Sequence, residues 1–260
     1  MELADLYHKI RGHRVTTDSR DIQAGDVFIA LKGENFDGNR YAAEAIQKGA
    51  TLAVIDNPTY MTNNCQLVRD SLTFLQELAR YHRRYLGIPL LGITGTNGKT
   101  TTKELCHAVL SRKFKTYATQ GNFNNHIGVP LTLLSMDETT EFGIVEMGAN
   151  HPGEIKTLCD IAEPDYGIIT NIGQAHLEGF GSPENIIVTK RALYDHILNK
   201  NGKVFVNASD ELLMNLSKNH NRNTYGKGGD LLQGEIKQTV PYLVYSILAP
   251  KGQLYIKTHL

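Results

Sequence analysis

The chain has 260 residues, of which 41% are hydrophobic and 21% charged, enough for a large core and two domains. Lysine plus arginine equals aspartate plus glutamate at 27 each, which excludes a global field that would attract nucleic acid or an anionic membrane. The apolar runs are too short to span a bilayer, no signal peptide is expected, and the unpaired spacing of Cys65, Cys106 and Cys159 favours reduced cytosolic thiols.

Residues 1–86 are predicted to form a first domain. Its last helix ends in the basic run Arg80 to Arg84, which we expect to be solvated or to complement the helix's own dipole. Gly87-Ile88-Pro89 marks the boundary to the next domain. Hydrophobic patterns in the first domain predict strands at 27–31 and 51–55 and helices at 41–48 and 71–86.

Residues 87–260 alternate between strand and helix patterns, which is typical of a doubly wound, mostly parallel α/β sheet. A hairpin is predicted near the end, where 243–248 and 253–257 flank Pro250-Lys-Gly252. The predicted strands lie near 88–94, 115–118, 142–147, 166–172 and 203–207, and the helices near 99–112, 126–135, 153–162, 183–198 and 209–217.

A glycine loop follows the first of these strands. The buried-strand pattern Ile88 to Ile93 runs into Thr94-Gly-Thr-Asn-Gly-Lys-Thr100 and then into a helix, the context of a phosphate-binding loop. Lys99 could reach the β- and γ-phosphates, and the Thr100 hydroxyl could hold Mg²⁺. The glycines stand at 92, 95 and 98, shifted from the common spacing. A plain surface turn is the alternative, which the strand and helix on either side disfavour.

Two further residues fall where strands end, the edge at which open α/β sheets bind ligands. Glu146 closes the strand 142–147 and is either a surface carboxylate or a Mg²⁺ ligand, and the neighbouring phosphate loop favours the ligand. His176 lies four residues past the strand 166–172. Its position leaves a structural histidine and a ligand equally open.

Lys190 lies within an apolar stripe of the helix 183–198. It stands four residues after Ile186 and three before Leu193. An ammonium group there is costly unless it is paired or neutralised. Two interpretations stay open: the side chain reaches solvent, or its neutral amine is available to react or to pair with phosphate.

The polar loop Asn122-Phe-Asn-Asn-His126 precedes an amphipathic helix. Asn125 is the natural candidate for the helix cap, and the loop could instead bind substrate.

Several co-linear segments resemble the Mur ligases, whose glycine loop, shared with folylpolyglutamate synthetases, is similar to Gly92–Thr101. The resemblance extends over nearly residues 15 to 195 and is greatest to the branch that adds D-alanyl-D-alanine. The similar segments are Thr17–Arg20, Gly25–Gly33, Asn122–Thr132, Val145–Ala149, Gly153–Ile155, Thr170–Glu178 and Phe180–Ser182.

The resemblance implies an ATP-dependent carbon–nitrogen ligase of peptidoglycan precursor synthesis in the bacterial cytoplasm. It would join D-alanyl-D-alanine to UDP-N-acetylmuramoyl-tripeptide through an acyl phosphate, using Mg²⁺. The implied protein is a monomer that binds no nucleic acid and does not span a membrane. The first domain would bind the UDP end of the substrate and the second would hold ATP.

The resemblance also implies roles for individual residues. Lys190 would react with CO₂ to form a carbamate, and Asn125 would lie near the γ-phosphate and the acyl group. Two departures from the family pattern are Asn39, where histidine is common, and Ala192, where an acidic residue is frequent. The implied sets are Gly95, Thr96, Asn97, Gly98, Lys99, Thr100 and Thr101 for ATP; Ser19, Arg20, Lys32, Asp37 and Gly38 for the UDP substrate; Thr100, Glu146, His176 and Lys190 for metal; and Lys99, Lys190, Asn125 and His176 for catalysis.

Family members carry a third, C-terminal domain, and nothing in residues 1–260 resembles it. We therefore expect an N-terminal fragment that binds nucleotide weakly at best and does not ligate. Two alternatives stay open: a Mur-type ligase with a different acceptor, and a phosphate-loop module that uses ATP as a switch and has no need of Lys190.

Overall fold

The computed structural model describes residues 3–173, 177–249 and 252–258. Backbone contacts divide the chain into two compact units: Met1–Ile88, His107–Val145 and Asp160–Glu163 form the first, and Pro89–Cys106, Glu146–Cys159 and Pro164–Leu260 form the second. Among the described residues, no helix combines the length and the hydropathy needed to cross a membrane.

Fifteen strands are present in the described part of the chain. In chain order they are β1 (Val15–Thr16), β2 (Val27–Ile29), β3 (Lys32–Gly33), β4 (Phe36–Asp37), β5 (Leu52–Ile55), β6 (Cys65–Leu67), β7 (Leu90–Thr94), β8 (Thr116–Ala118), β9 (Phe142–Glu146), β10 (Tyr166–Ile169), β11 (Lys203–Asn207), β12 (Arg222–Gly226), β13 (Leu232–Gln238), β14 (Leu243–Ala249) and β15 (Gly252–Thr258).

Nine α-helices are present in the same described ranges, with short 3-10 turns at Gly38–Tyr41 and Pro58–Tyr60. The α-helices are α1 (Leu3–Ile10), α2 (Ala42–Gln47), α3 (Ser71–Leu86), α4 (Lys99–Leu110), α5 (Gly128–Leu134), α6 (Glu154–Ala162), α7 (Leu177–Phe180), α8 (Pro183–Asn199) and α9 (Glu211–Leu216).

The first unit contains a parallel four-stranded sheet in the order β1-β2-β5-β6. Side chains of a strand alternate between the two faces of its sheet, and here both faces are covered. Val27 and Val54 pack with Leu75 and Leu78 of α3, whereas Phe28 packs with Ala45 of α2. The predicted helix 71–86 is confirmed to the residue, because Asp70 caps it at one end and Gly87, with a φ of 61°, ends it at the other.

The second unit is built on parallel strands in the order β13-β12-β11-β10-β7, and β14 and β15 continue the sheet antiparallel beyond β13. The prediction of a mostly parallel α/β sheet with a terminal hairpin is thus confirmed. In the first unit, β8 pairs in parallel with β9. The helices and strands predicted between residues 88 and 217 are present, with ends within three residues of the prediction.

Strands β12 and β13 were not predicted, and neither were helices α1 and α7 and the short strands β1, β3, β4 and β6. Arg222-Asn-Thr-Tyr-Gly226 and Leu232-Gln-Gly-Glu-Ile-Lys-Gln238 contain few apolar residues. Their strand conformation comes from pairing with neighbours, β11 for β12 and β14 for β13. Such tertiary pairing is invisible to a pattern read within one segment.

The basic end of α3 differs from its prediction. Arg83 is only 6% exposed, and its Nε and Nη2 donate to the carbonyl oxygens of Ala162 and Glu163 at 3.1 and 3.2 Å. The two carbonyls belong to the last residue of α6 and to the residue after it, where a helix offers no intrahelical donors. The cation therefore complements the negative end of another helix, and the neighbouring Arg84 pairs with the Glu163 carboxylate.

Candidate functional site

The glycine loop connects β7 to α4. All five residues of β7 are buried, the loop occupies residues 95–98, and α4 begins at Lys99. The first amides of a helix have no intrahelical acceptor, and the helix dipole adds positive charge there. The start of α4 is therefore suited to bind a phosphate group.

The three glycines of the motif have different structural roles. Gly95 and Gly98 have φ of 147° and 76°, a backbone region in which L side chains are strained. Gly92 lies inside β7 opposite Gly167 of β10. A Cβ at Gly92 would lie 3.0 Å from Leu193 of α8, so this glycine lets α8 approach the sheet and is not part of the loop.

The close approach of α8 brings Lys190 to the glycine loop. Its Nζ donates to the carbonyl oxygen of Gly95 at 3.0 Å, and the residue is only 4% exposed. The prediction that residue 190 lies in a buried stripe is confirmed, because Ile186, Leu193 and Ile197 of the same helix are buried as well. The solvent-reaching alternative is wrong.

Lys99 shares an acceptor with Lys190. Its Nζ donates to the carbonyl oxygens of Gly95 and Thr96 at 3.0 and 3.1 Å. Burial, reinforced by the nearby Lys99 ammonium, lowers the pKa of the Lys190 amine to about 8. With that pKa roughly a tenth of the Lys190 side chains are neutral at pH 7, against about one in three thousand for an ordinary lysine.

Glu146 lies next to the end of β7. The following residue, Met147, donates its amide to Ile93 at 2.8 Å and accepts the Thr94 hydroxyl at 2.8 Å. Glu146 is 2% exposed, whereas Thr100 and Thr101 are exposed at the start of α4. His176 lies outside the described residues. Within those residues, no three His, Cys, Asp or Glu side chains converge as metal ligands.

The segment after β10 contacts the loop and was missed by the sequence analysis. The Thr170 hydroxyl and the Asn171 side-chain amide donate to the Asn97 carbonyl at 2.6 and 3.0 Å. Thr96 exchanges two hydrogen bonds with the backbone of Gly173 through its hydroxyl. A polar residue after a strand was the available signal, and the sequence does not reveal its partner.

In the first unit, four polar residues form a connected cluster. Asn39 is fully buried, and its Nδ2 donates to Asp37 at 2.6 Å and to Asp56 at 2.9 Å. Lys32 pairs with Asp56 at 2.8 Å, and this carboxylate raises the pKa of the lysine. Gly38 must lack a side chain, since a Cβ would lie 2.5 Å from the Leu31 carbonyl oxygen. The structure thus brings Lys32, Asp37 and Gly38 together and adds Asn39 and Asp56.

The other predicted residues of the first unit make local contacts. Arg20 forms a fork with the Asp18 carboxylate at 2.7 and 2.8 Å, and the Ser19 carbonyl accepts from Lys48 at 2.9 Å. Asn125 accepts the amides of Ile127 and Gly128 at 3.0 and 2.8 Å, and its carbonyl accepts the Val129 amide at 2.9 Å, so it caps the turn that leads into α5, whose first residue is Gly128.

Family models match both parts of the chain. The model described as "Mur ligase middle domain" matches residues 93–259, and the model described as "Mur ligase family, catalytic domain" matches residues 11–83. The chain belongs to the Mur ligase family.

This Mur ligase chain is also similar to individual ligases over most of its length. The UDP-N-acetylmuramoyl-tripeptide–D-alanyl-D-alanine ligase of Bacillus subtilis is 42% identical over 219 residues, 83% of this chain and 48% of the relative. A crystal structure of MurF from Acinetobacter baumannii has a TM-score of 0.86 at 31% identity, covering 99% of this chain and 60% of that one. MurF ligase from Thermotoga maritima in complex with ADP gives 0.84 at 32%, with 95% and 58% covered. The chain spans about half the length of the curated relatives it matches.

A cavity of about 760 Å³ also lies in the first unit of this Mur ligase chain, lined by none of the predicted site residues. The buried His82 contributes to its wall. His82 Nε2 lies 2.9 Å from the Met136 carbonyl oxygen, and Nδ1 lies 2.8 Å from the Tyr7 hydroxyl. Because a carbonyl only accepts, Nε2 carries a proton. Burial lowers the pKa of His82 and so favours the neutral ring, in which Nδ1 accepts from the Tyr7 hydroxyl.

Acidification is expected to destabilise this unit through His82. Burial lowers the pKa of His82, although the hydrogen bond to the Met136 carbonyl and the charge of Glu138 oppose the shift. Below pH 6.5 the unfolded state binds a proton that the folded state does not, so the free energy of unfolding falls by up to about 1.4 kcal/mol per pH unit.

Urea unfolding between pH 5 and 8 measures this dependence. His82→Gln keeps a donor and an acceptor but cannot titrate, so its slope below pH 6.5 is expected to be smaller than that of the wild type. Equal slopes in the two proteins would contradict the assignment. Other histidines are present in both proteins and cancel in the comparison.

Proposed function

We propose that this protein is an ATP-dependent ligase that joins D-alanyl-D-alanine to UDP-N-acetylmuramoyl-tripeptide in peptidoglycan precursor synthesis. We place it in the bacterial cytoplasm as a monomer. The names of the relatives support the substrates, and the observation that carries the proposal is the 3.0 Å contact of Lys190 Nζ with the Gly95 carbonyl. A phosphate loop that only switches has no use for a buried lysine of lowered pKa at this point.

The two parts of the chain would divide the substrates. Residues 1–86 would bind the UDP end through Ser19, Arg20 and the cluster around Lys32, Asp37 and Gly38. Residues 87–260 would bind ATP through the loop from Gly95 to Thr101. The positive-φ glycines, the Lys99 ammonium and the first amides of α4 suit a triphosphate.

The reaction would use two displacements. A carboxylate oxygen of the tripeptide attacks the γ-phosphorus of ATP, the bond from that phosphorus to the bridging oxygen breaks, and ADP departs. The amine of D-alanyl-D-alanine then attacks the acyl carbon, loses a proton, and phosphate leaves with the electrons of the carbon–oxygen bond. Lys99 would neutralise charge that develops on the phosphoryl oxygens, and Asn125 would orient the acyl group.

Among the described residues, the Thr100 hydroxyl and the Glu146 carboxylate are oxygen donors of the kind that a magnesium ion prefers. Thr100, Glu146 and His176 would hold it, with the remaining positions taken by phosphate oxygens and water, as Mg²⁺ prefers. Bound there, it would neutralise phosphate charge.

Lys190 would act as a carbamate. Only a neutral amine attacks CO₂, and the lowered pKa makes that form accessible. The carbamate nitrogen retains one N–H that can still donate to Gly95, while the new carboxylate supplies an anionic ligand for metal. The cation beside the loop would thereby become an anion.

Ligation assays test the proposal. Purified 1–260 and a chimera that joins it to the remaining half of the B. subtilis relative are given ATP, Mg²⁺, nucleotide-peptide and D-alanyl-D-alanine. Purified 1–260 is expected to bind nucleotide weakly at best and to release no phosphate. The chimera is expected to release phosphate only with both peptide substrates, and to prefer the tripeptide form over shorter ones. Equal use of shorter forms would favour a different acceptor, and binding of ATP without substrate-dependent phosphate release would favour the switch.

A further inference from the structure

The backbone of the glycine loop is oriented from outside by the segment that follows β10. The regular pairing of β7 with β10 ends at Thr94 and Ile169. Beyond that point Thr170 donates its amide to Thr94 at 2.9 Å, and the Asn171 carbonyl accepts the Thr96 amide at 3.0 Å. The ladder thus continues into the loop without regular strand geometry.

The Asn171 side chain takes the next position of this ladder. Its Oδ1 accepts the Asn97 amide at 3.1 Å, and its Nδ2 donates to the Asn97 carbonyl at 3.0 Å. The orientation of the carboxamide is determined by these contacts, because a flipped group would oppose donor to donor and acceptor to acceptor. One side chain therefore makes both backbone bonds that a strand residue would make.

These contacts divide the loop into two halves. The amides of Thr96 and Asn97 are bound by the Asn171 carbonyl and side chain, so they are not directed at a phosphate. The carbonyls of Gly95 and Asn97 are bound by lysine ammonium groups and by Thr170 with Asn171. The first amides of the helix, from Gly98 onward at the start of α4, have no intrahelical acceptor and can meet an anion.

We propose that Asn171 is a positioning residue that holds the first half of the phosphate loop so that the amides of its second half converge on the nucleotide. Asn171 does not touch the nucleotide. This role rests on the proposed binding of ATP by the loop. A loop held in place before binding loses less conformational freedom when the ligand arrives, which strengthens binding.

Two substitutions of Asn171 separate the effect of its side-chain donor from that of its side-chain acceptor. Asn171→Ala removes both side-chain bonds to Asn97, and the expected effect is about a tenfold weaker binding of a fluorescent ATP analogue. Asn171→Asp keeps the acceptor but turns a carboxylate oxygen toward the Asn97 carbonyl and adds negative charge near the triphosphate. We expect it to weaken binding by about a hundredfold, more than alanine does.

Amide hydrogen exchange in the nucleotide-free protein provides the second readout. Loss of the Asn171 side chain is expected to speed exchange at Asn97 at least about tenfold and to leave the amides of β11 unchanged. Asp70→Ala, which removes the cap of α3, serves as the control for general destabilisation and should leave analogue affinity unchanged. Variants are compared only where the exchange of β11 shows an intact fold.

The outcomes are distinguishable. All variants are made in the chimera, and the chimera without substitution is the wild type of these comparisons. If it binds no ATP analogue, the proposed function is overturned, and exchange at Asn97 alone decides the role of Asn171. If the wild type binds and Asn171→Ala stays within twofold of it in affinity and in exchange at Asn97, the positioning role is overturned. Faster exchange across β11 in both Asn171 variants would assign the residue to general stability and overturn it as well.

Discussion

Lys190→Ala is expected to lower ligation by the chimera about a thousandfold while leaving the ATP analogue bound. The substitution removes the group that would become the anionic carbamate. The Gly95 carbonyl loses its contact with Lys190 but keeps the hydrogen bond from Lys99, so the loop is expected to hold its shape. Initial rates of phosphate release, measured with both peptide substrates, check the size of the loss.

Chemical rescue identifies the form in which Lys190 acts. A carbamate is mimicked by a short carboxylic acid, so formate or acetate is expected to restore part of the rate to Lys190→Ala. An alkylamine that restores the rate while carboxylic acids do not would show that the ammonium form is active and would contradict the carbamate. Lys103→Ala is the control, because that lysine lies on α4 outside the loop and carboxylic acids should not rescue it.

Gly95→Ala is expected to abolish binding of the ATP analogue and to lower the free energy of unfolding by about 3–5 kcal/mol. The new Cβ would collide with the Thr170 hydroxyl, and the φ of 147° is strained for alanine. The collision and the backbone strain add at the same residue. The atoms near the new Cβ include the backbone nitrogen of Thr170, which cannot easily move.

Gly98→Ala provides the matched comparison for stability. Gly98 also has a positive φ, but a Cβ there would meet no atom within 4 Å. Its cost is expected to be about 1–2 kcal/mol, from backbone strain alone. Equal stability losses in urea unfolding of the two variants would contradict the collision at Thr170.

The pattern of residues within one segment predicted which element a residue lies on and which face of a helix it occupies. The spacing of apolar residues placed Lys190 in the apolar stripe of its helix but left its burial open, and the strand–glycine–helix order predicted the loop. The role of Gly92 was not predictable, because the residue that needs the space, Leu193, lies about a hundred positions away in the sequence. Motif spacing alone cannot separate a glycine that binds from a glycine that makes room for a helix.

The residues missed by the sequence analysis share a physical cause. Asn171, Asp56 and Arg83 each act through a partner on another element: the Asn97 backbone, the Asn39 and Lys32 side chains, and the end of α6. A single polar residue at the end of a strand or helix has many possible partners. The fold selects one of them, and one sequence contains no signal of that choice. The roles of the ATP, UDP and metal sets stay predictions.

The two carbonyl contacts of Arg83 set a condition on any dissection of this chain. A piece ending before Gly87 would carry the guanidinium away from Ala162 and Glu163 and leave it in a surface built to enclose it. The complementary piece would lose the guanidinium that binds the end of α6. The gap between the two family matches, from residue 83 to residue 93, is therefore no place to cut the chain into self-sufficient halves.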